Sequence, residues 1–174
     1  MNAFEHRSQD PVQVPCIGVV ESSYRKVTDR MDYHRESRIR IHPQYIDGFH
    51  GIDAFSHLWV IYHQHLSQEW AEAHDWGQGA PLIVPDADSR AGQGIYTTRA
   101  PCRPSRLGSC IVELIGRTPD RLVVKGLDAL HGTQVLDIKI YIPAFDCFPE
   151  ARIPGDWSPC APPGLALQPR ASKS

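Results

Sequence analysis

The chain has 174 residues, 41% of them hydrophobic and 22% charged, which suits one globular domain with or without a tail. Its formal net charge is -2, so composition excludes an overtly basic nucleic-acid binder, although a local basic patch stays compatible with it. No run of about 18 apolar residues occurs, which excludes a transmembrane helix, and the polar start MNAFEHRSQDPVQ lacks the apolar stretch of a secretory signal, so a cytosolic protein is expected.

Residues 1–13 are expected to be loose, ahead of a domain over 14–149. VPCIGVVESSY (14–24) has the β-branched content of a strand running into a loop. SRIRIHP (37–43) alternates polar and apolar residues, the period of a half-buried strand, and Pro43 ends it. PQYIDGFHGIDAF can form a short helix that Gly48 or Gly51 terminates. FSHLWVIYHQH (55–65) is the most apolar strand and is placed centrally. Residues 66–92 read as a long irregular connection with a short helix over SQEWAEAH; connections of that length are often functional.

Strand signals resume at GIYTT (94–98), SCIVELIG (109–116), RLVVKGL (121–127) and TQVLDIKIY (133–141), with RTPD as a hairpin turn. Residues 150–174 are a Pro-rich tail. About seven strands with few short helices predict a mainly β protein, a single small barrel. The crossover helices of a parallel sheet are missing, and no GxGxxG follows the first strand, so the fold is not a Rossmann one. The five cysteines are scattered with no CxxC pair, which argues against a zinc cage or a disulfide framework.

Three stretches carry candidate chemistry. TTRAPCRPSRLGSC (97–110) sets Arg99, Arg103 and Arg106 in a loop stiffened by two prolines, suited either to fork onto a carboxylate or phosphate or to make surface ion pairs. GLDALHGT (126–133) joins two strands through a tight bend, where Asp128 and His131 could serve as base or orienter, or form an ordinary Asx turn with an exposed histidine. His63 and His65 fall on one face of a strand end, but no third ligand has metal-site spacing, so no metal is expected. Tyr24, Tyr33, Trp70, Trp76 and Tyr96 near the loops suit either base stacking or closing the barrel ends.

Taken together, three of these segments resemble the TsaA-like (TrmO-type) family of S-adenosylmethionine-dependent methyltransferases. FSHLWVIYHQH resembles the family's FSHIWVLFWFH, GIYTTRAPCRPSRLGS resembles GVFATRSPFRPNPIGLS, and GLDALHGTQVLDIKIYIP resembles GLDLLDGTPVLDIKPYLP. The likeness runs from about Ile17 to Phe148. It implies a small barrel, a homodimer with the cofactor near the subunit interface, and methylation of the exocyclic nitrogen of threonylcarbamoyl-adenosine beside the tRNA anticodon. It also implies cofactor contacts from Arg30, Gln64, His65, Arg99, Arg103, Ser109, Asp128, Leu130, His131 and Gly132, with Asp128 or His131 as base. The backbone of Leu130 to Gly132 is expected at the adenine edge.

The sequence departs from the family in places. VTDRM keeps only the arginine of a PRQ motif, NPIGLS has become SRLGSC, and DLLDG has become DALHG. Those changes leave two further readings open: a small-molecule methyltransferase on the same cofactor site, or a module that binds the cofactor without catalysis.

Overall fold

The computed structural model describes residues 12–29, 32–73, 82–84 and 93–152. Arg30, Trp76, Cys160 and nearly all of the Pro-rich tail lie outside the described residues, as does most of the expected loose start. Among the described residues, no helix is long and apolar enough to cross a membrane.

Six antiparallel strands close a barrel. In chain order they are β1 (Gly18–Glu21), β2 (Glu36–Ile41), β3 (His57–His63), β6 (Leu107–Thr118), β7 (Arg121–Lys125) and β8 (Gln134–Ile140). Around the barrel they run β1-β2-β7-β6-β3-β8, with β8 returning to β1. Between β3 and β6 lie the helix Ser67–Ala73 and a two-stranded ribbon of β4 (Ile83–Val84) and β5 (Gln93–Gly94).

Strand alternation decides what fills the interior. In β2 the buried residues are Ser37, Ile39 and Ile41, while Glu36, Arg38 and Arg40 face water. In β3 the buried set is Leu58, Val60 and Tyr62, and Val20, Val112, Leu122, Val124 and Val135 complete the core. Burying each such aliphatic side chain contributes roughly 1.5–3 kcal/mol. One end of the barrel is stoppered by the 3-10 turns Pro43–Phe49 and Ile52–Ala54, which bury Phe49 and Ile52. Arg117 fastens that stopper, donating to the Phe49 carbonyl at 2.7 Å and lying 3.6 Å from the Asp53 carboxylate. The short helix expected over 43–55 is thus a pair of 3-10 turns separated by Gly51, whose φ of 81° ends the first.

The segment GIYTT is not the strand its β-branched residues predict. Only Gln93–Gly94 pairs, and Ile95–Thr97 is a 3-10 turn. The Thr97 and Thr98 hydroxyls donate to the Gly94 and Ile95 carbonyls, and these local bonds compete with a ladder. Ile95 is nonetheless fully buried, against Ala71 and Cys102 in a second small core that seats the Arg/Pro loop on the helix.

Candidate functional site

The barrel end opposite the 3-10 stopper gathers four separated pieces of chain: the loop after β1, the end of β3, the Arg/Pro loop leading into β6, and the bend between β7 and β8. β3 and β6 set the geometry, since their register pairs Val60 with Cys110 and Tyr62 with Gly108. Tyr62 is 3% exposed, and its hydroxyl donates to the Asp128 carbonyl at 2.5 Å. The ring lies where a side chain on Gly108 would be: a Cβ there would sit 2.3 Å from Tyr62 Cε2.

Asp128 therefore sits over the end of the barrel, backed by Tyr62 and Cys110. Its side chain reaches solvent, yet enough protein surrounds it that burial raises its pKa, while the Arg99 charge pulls the other way. The Cys110 thiol lies against the Asp128 backbone and the Tyr62 hydroxyl, and burial pushes it up to about 11. Burial likewise drives the Tyr62 phenol well above its ordinary range, with Cys110, Asp128 and Tyr33 adding to the effect and Arg99 opposing it. Arg99 itself is exposed and donates to the Ser109 carbonyl at 3.3 Å. The structure thus brings two of the expected residues, Arg99 and Asp128, into one electrostatic cluster.

Gln64 and His65 lie at the same end, directly after β3. The Gln64 amide donates to the Arg106 carbonyl, but its side-chain Oε1 is buried without a hydrogen-bond partner among the described residues. A buried acceptor left unpaired costs about 1–3 kcal/mol. His65 Nδ1 is 3.2 Å from the Thr133 hydroxyl; burial, and then the neighbouring His63, hold its pKa below the ordinary histidine range.

The other expected residues occupy more committed positions. His131 Nδ1 takes the Ser22 amide hydrogen at 3.4 Å, which leaves the ring proton on Nε2. The His131 and Gly132 amides donate to the Tyr24 and Val20 carbonyls, at 2.7 and 2.9 Å. Two of the backbone donors expected to face an adenine edge, those of His131 and Gly132, thus tie the bend to β1 and the loop after it. Leu130 is half-buried and accepts the Thr133 amide, while Gly132 supplies the left-handed φ of 84° that the bend requires. Arg103 donates to the Thr98 carbonyl at 3.3 Å and lies over the Tyr96 ring at 5.7 Å, so its guanidinium braces its own loop. Ser109 is exposed on the outer face of β6, beside inward Gly108 and Cys110, and contributes its carbonyl to Arg99. Tyr24 is buried, and its hydroxyl fastens the following loop by accepting the Asp32 amide and donating to the Asp32 carbonyl. Among the described residues, no group of three metal-ligating side chains is assembled.

Sequence reasoning gave no role to Tyr62, Gly108 or Cys110. The signal was parity: Gly108, Cys110 and Val112 alternate inward on β6, as Leu58, Val60 and Tyr62 do on β3, but matching the two series needs their register.

Comparison with known proteins bears on the family and the fold. Residues 26–147 match the family described as tRNA-methyltransferase O N-terminal domain. A protein of Methanothermobacter thermautotrophicus, named a probable S-adenosyl-L-methionine-binding protein, is 36% identical over 139 residues, covering 78% of this chain and 93% of that one. The Escherichia coli tRNA (adenine(37)-N6)-methyltransferase is 34% identical over 110 residues, covering 60% of this chain but only 44% of its own length. The crystal structure of TrmO from Pseudomonas aeruginosa superposes with a TM-score of 0.65 at 26% identity, over 83% of this chain and 62% of that one. The matched span includes β2 to β8, Arg99, Asp128 and the whole bend that follows β7, so the chain belongs to the tRNA-methyltransferase O N-terminal-domain family.

Proposed function

We propose that this chain is an S-adenosylmethionine-dependent methyltransferase acting on the exocyclic N6 of a tRNA adenine, the threonylcarbamoyl-adenosine beside the anticodon. The observation that carries the reading is the meeting of Arg99, Asp128, Tyr62 and the unpaired Gln64 Oε1 at one barrel end, all inside the family-matched residues 26–147. The relatives' names support both halves of it: one carries the cofactor, another the adenine N6 position.

The residues present fit the cofactor. Gln64 Oε1 would accept an N–H from its ammonium or amino group, Arg99 would hold its carboxylate, and His65, whose pKa is held low, would line the pocket without adding positive charge near a sulfonium. When bound, S-adenosylmethionine supplies an electrophilic methyl group for in-line displacement. The chain's own task is to hold the acceptor in line, which proximity makes worth up to about 7–11 kcal/mol, and to remove a proton from a weakly nucleophilic N–H.

Asp128 is the base in this reading, a role typically worth about 10²–10⁴-fold. Burial raises its pKa and so strengthens it as a proton acceptor, while the Arg99 charge opposes that rise. His131 is less suited, because its Nδ1 lone pair is engaged by Ser22 and its Nε2 carries the proton. It orients the bend instead.

The family's homodimer is part of the proposal. The outer face of β3 and β6 sets half-buried Trp59 beside Ile111, Ile61 beside Ser109 and half-buried His63 beside Leu107, a partly apolar face suited to a second copy. Titration calorimetry with S-adenosylmethionine, and nucleoside analysis of tRNA from a deletion strain, test the reading. A bound cofactor together with loss of the methylated nucleoside is expected. An unchanged nucleoside profile in that strain overturns the tRNA acceptor, and absence of cofactor binding overturns the whole.

A further inference from the structure

The buried Tyr62 hydroxyl and the Cys110 thiol lie beneath the proposed base, yet neither enters the chemistry above. Both belong to the barrel wall rather than to a loop, and both meet Asp128 through its main chain. Tyr62 reaches the Asp128 carbonyl at 2.5 Å, and Cys110 lies against the main chain of the same residue and the same hydroxyl. A hydrogen bond to a backbone atom of residue 128 leaves the carboxylate free while fixing where its Cα stands. Gly126, with a φ of 84°, and Gly132, also at 84°, bracket the bend, which starts from buried Leu127 and holds buried Ala129. Between these pivots two barrel-strand side chains, Tyr62 and Cys110, meet residue 128. Where the family stretch quoted above carries Phe and Ser, this chain carries Tyr62 and Cys110.

We infer that Tyr62, assisted by Cys110, is a positioning residue that sets the Asp128 carboxylate for proton removal; the inference rests on Asp128 being the base of the proposed methyl transfer. Tyr62 stays a donor throughout the working pH range, since its phenol is pushed further from ionisation by burial. The charged and titratable groups facing this spot come from three other elements: Arg99 from the Arg/Pro loop, Cys110 from β6, and Tyr33 from the loop after β1. Removing the hydroxyl therefore lets residue 128 shift relative to Arg99, and both the rate and its pH dependence should follow. A displacement of about 1 Å at a reacting group is enough to cost on the order of 10²-fold in rate.

The test uses the full chain and Tyr62→Phe, which keeps the ring over Gly108. Expected are a fall in kcat of about 10-fold or more, little change in cofactor affinity by calorimetry, and a displaced acid limb in the pH–rate profile. Cys110→Ala, which removes only the thiol, is expected to move the limb in the same direction by less. It also serves as the readout should Tyr62→Phe not fold. A lowered Tm with unchanged kcat and an unmoved acid limb in either folded variant overturns the positioning role and leaves the methyltransferase reading intact. If the unmodified chain binds no S-adenosylmethionine and transfers no methyl group, the functional reading fails first, and the inference falls with it.

Discussion

Replacing Gly108 by alanine isolates the packing on which the site rests. Gly108 has none of the positive φ values seen at Gly51, Gly126 and Gly132, so it is needed for space rather than for backbone freedom. An added Cβ would lie 2.3, 2.6 and 2.9 Å from Tyr62 Cε2, Cζ and Cδ2, against ordinary carbon contacts of about 3.5–4.0 Å. The ring must withdraw by roughly 1 Å, and overpacking of this kind typically costs about 1–3 kcal/mol. Losing the hydroxyl's bond to the Asp128 carbonyl adds about 0.5–1.5 kcal/mol. The smaller conformational freedom of alanine in the unfolded chain returns about 0.4–1 kcal/mol. The net loss is about 2 kcal/mol, which for a chain of this size lowers Tm by about 4–8 °C. Thermal unfolding followed by circular dichroism measures it. The same substitution in a Tyr62→Ala background should be neutral or stabilising, because the added methyl then fills space the ring has vacated. An undiminished Tm in the first case, or an equal loss in both, refutes the reasoning.

Three other outcomes follow from the same geometry. Arg106 holds a φ of 50° on an exposed turn whose amide donates to Arg103 and whose carbonyl serves Gln64, so Arg106→Gly should raise Tm by about 2 °C with activity kept, as a left-handed non-glycine residue costs about 1–2 kcal/mol; a lower Tm contradicts this. Asp128 binds its proton more tightly in the folded chain than in the unfolded one, so its contribution to stability is lost as pH rises from the unfolded value through the raised folded one. Asp128→Asn should therefore be at least as stable as the parent at pH 7 while losing methyl transfer, and a clear drop in urea midpoint at pH 7 counts against the assignment. With its thiol near 11, Cys110 should resist iodoacetamide at pH 8 by at least about 100-fold relative to exposed Cys147, read by peptide mass spectrometry; comparable labelling rates in the native protein would show the thiol is not buried as described.

Local patterning made much of the barrel legible. The alternation Arg38-Ile39-Arg40-Ile41 declares one wet and one dry face, and FSHLWVIYHQH announces a central strand, which indeed pairs with β6 and β8. What patterning does not carry is who stands next to whom. The order β1-β2-β7-β6-β3-β8 is set by long-range pairing, so Tyr62 over Gly108 and Cys110 under Asp128 are invisible until the registers are known. GIYTT misled for a different reason: its threonines satisfy nearby carbonyls with their own hydroxyls, and β propensity yields to those bonds. Gln64 came from the family resemblance; the orphaned oxygen that gives it physical weight is a property of the folded chain alone.

The closing seam between β8 and β1 bears on how the protein is made. That seam is short, with Gly18 opposite Val135 and Val19 opposite Gln134, and it joins the first strand of the barrel to the last. The His131 and Gly132 amides, which shape the bend around Asp128, take their acceptors from across it. A nascent chain emerging from the ribosome therefore carries every side chain of Arg99, Tyr62 and Gln64 long before it has a site. Only when β8 emerges and finds β1 does the barrel end acquire its form, and pairings so far apart in sequence are the slow ones. A ligand that recognises only the finished end binds after that step and holds it closed by mass action. Supplying that ligand during synthesis should favour the folded product most in variants whose seam has been weakened.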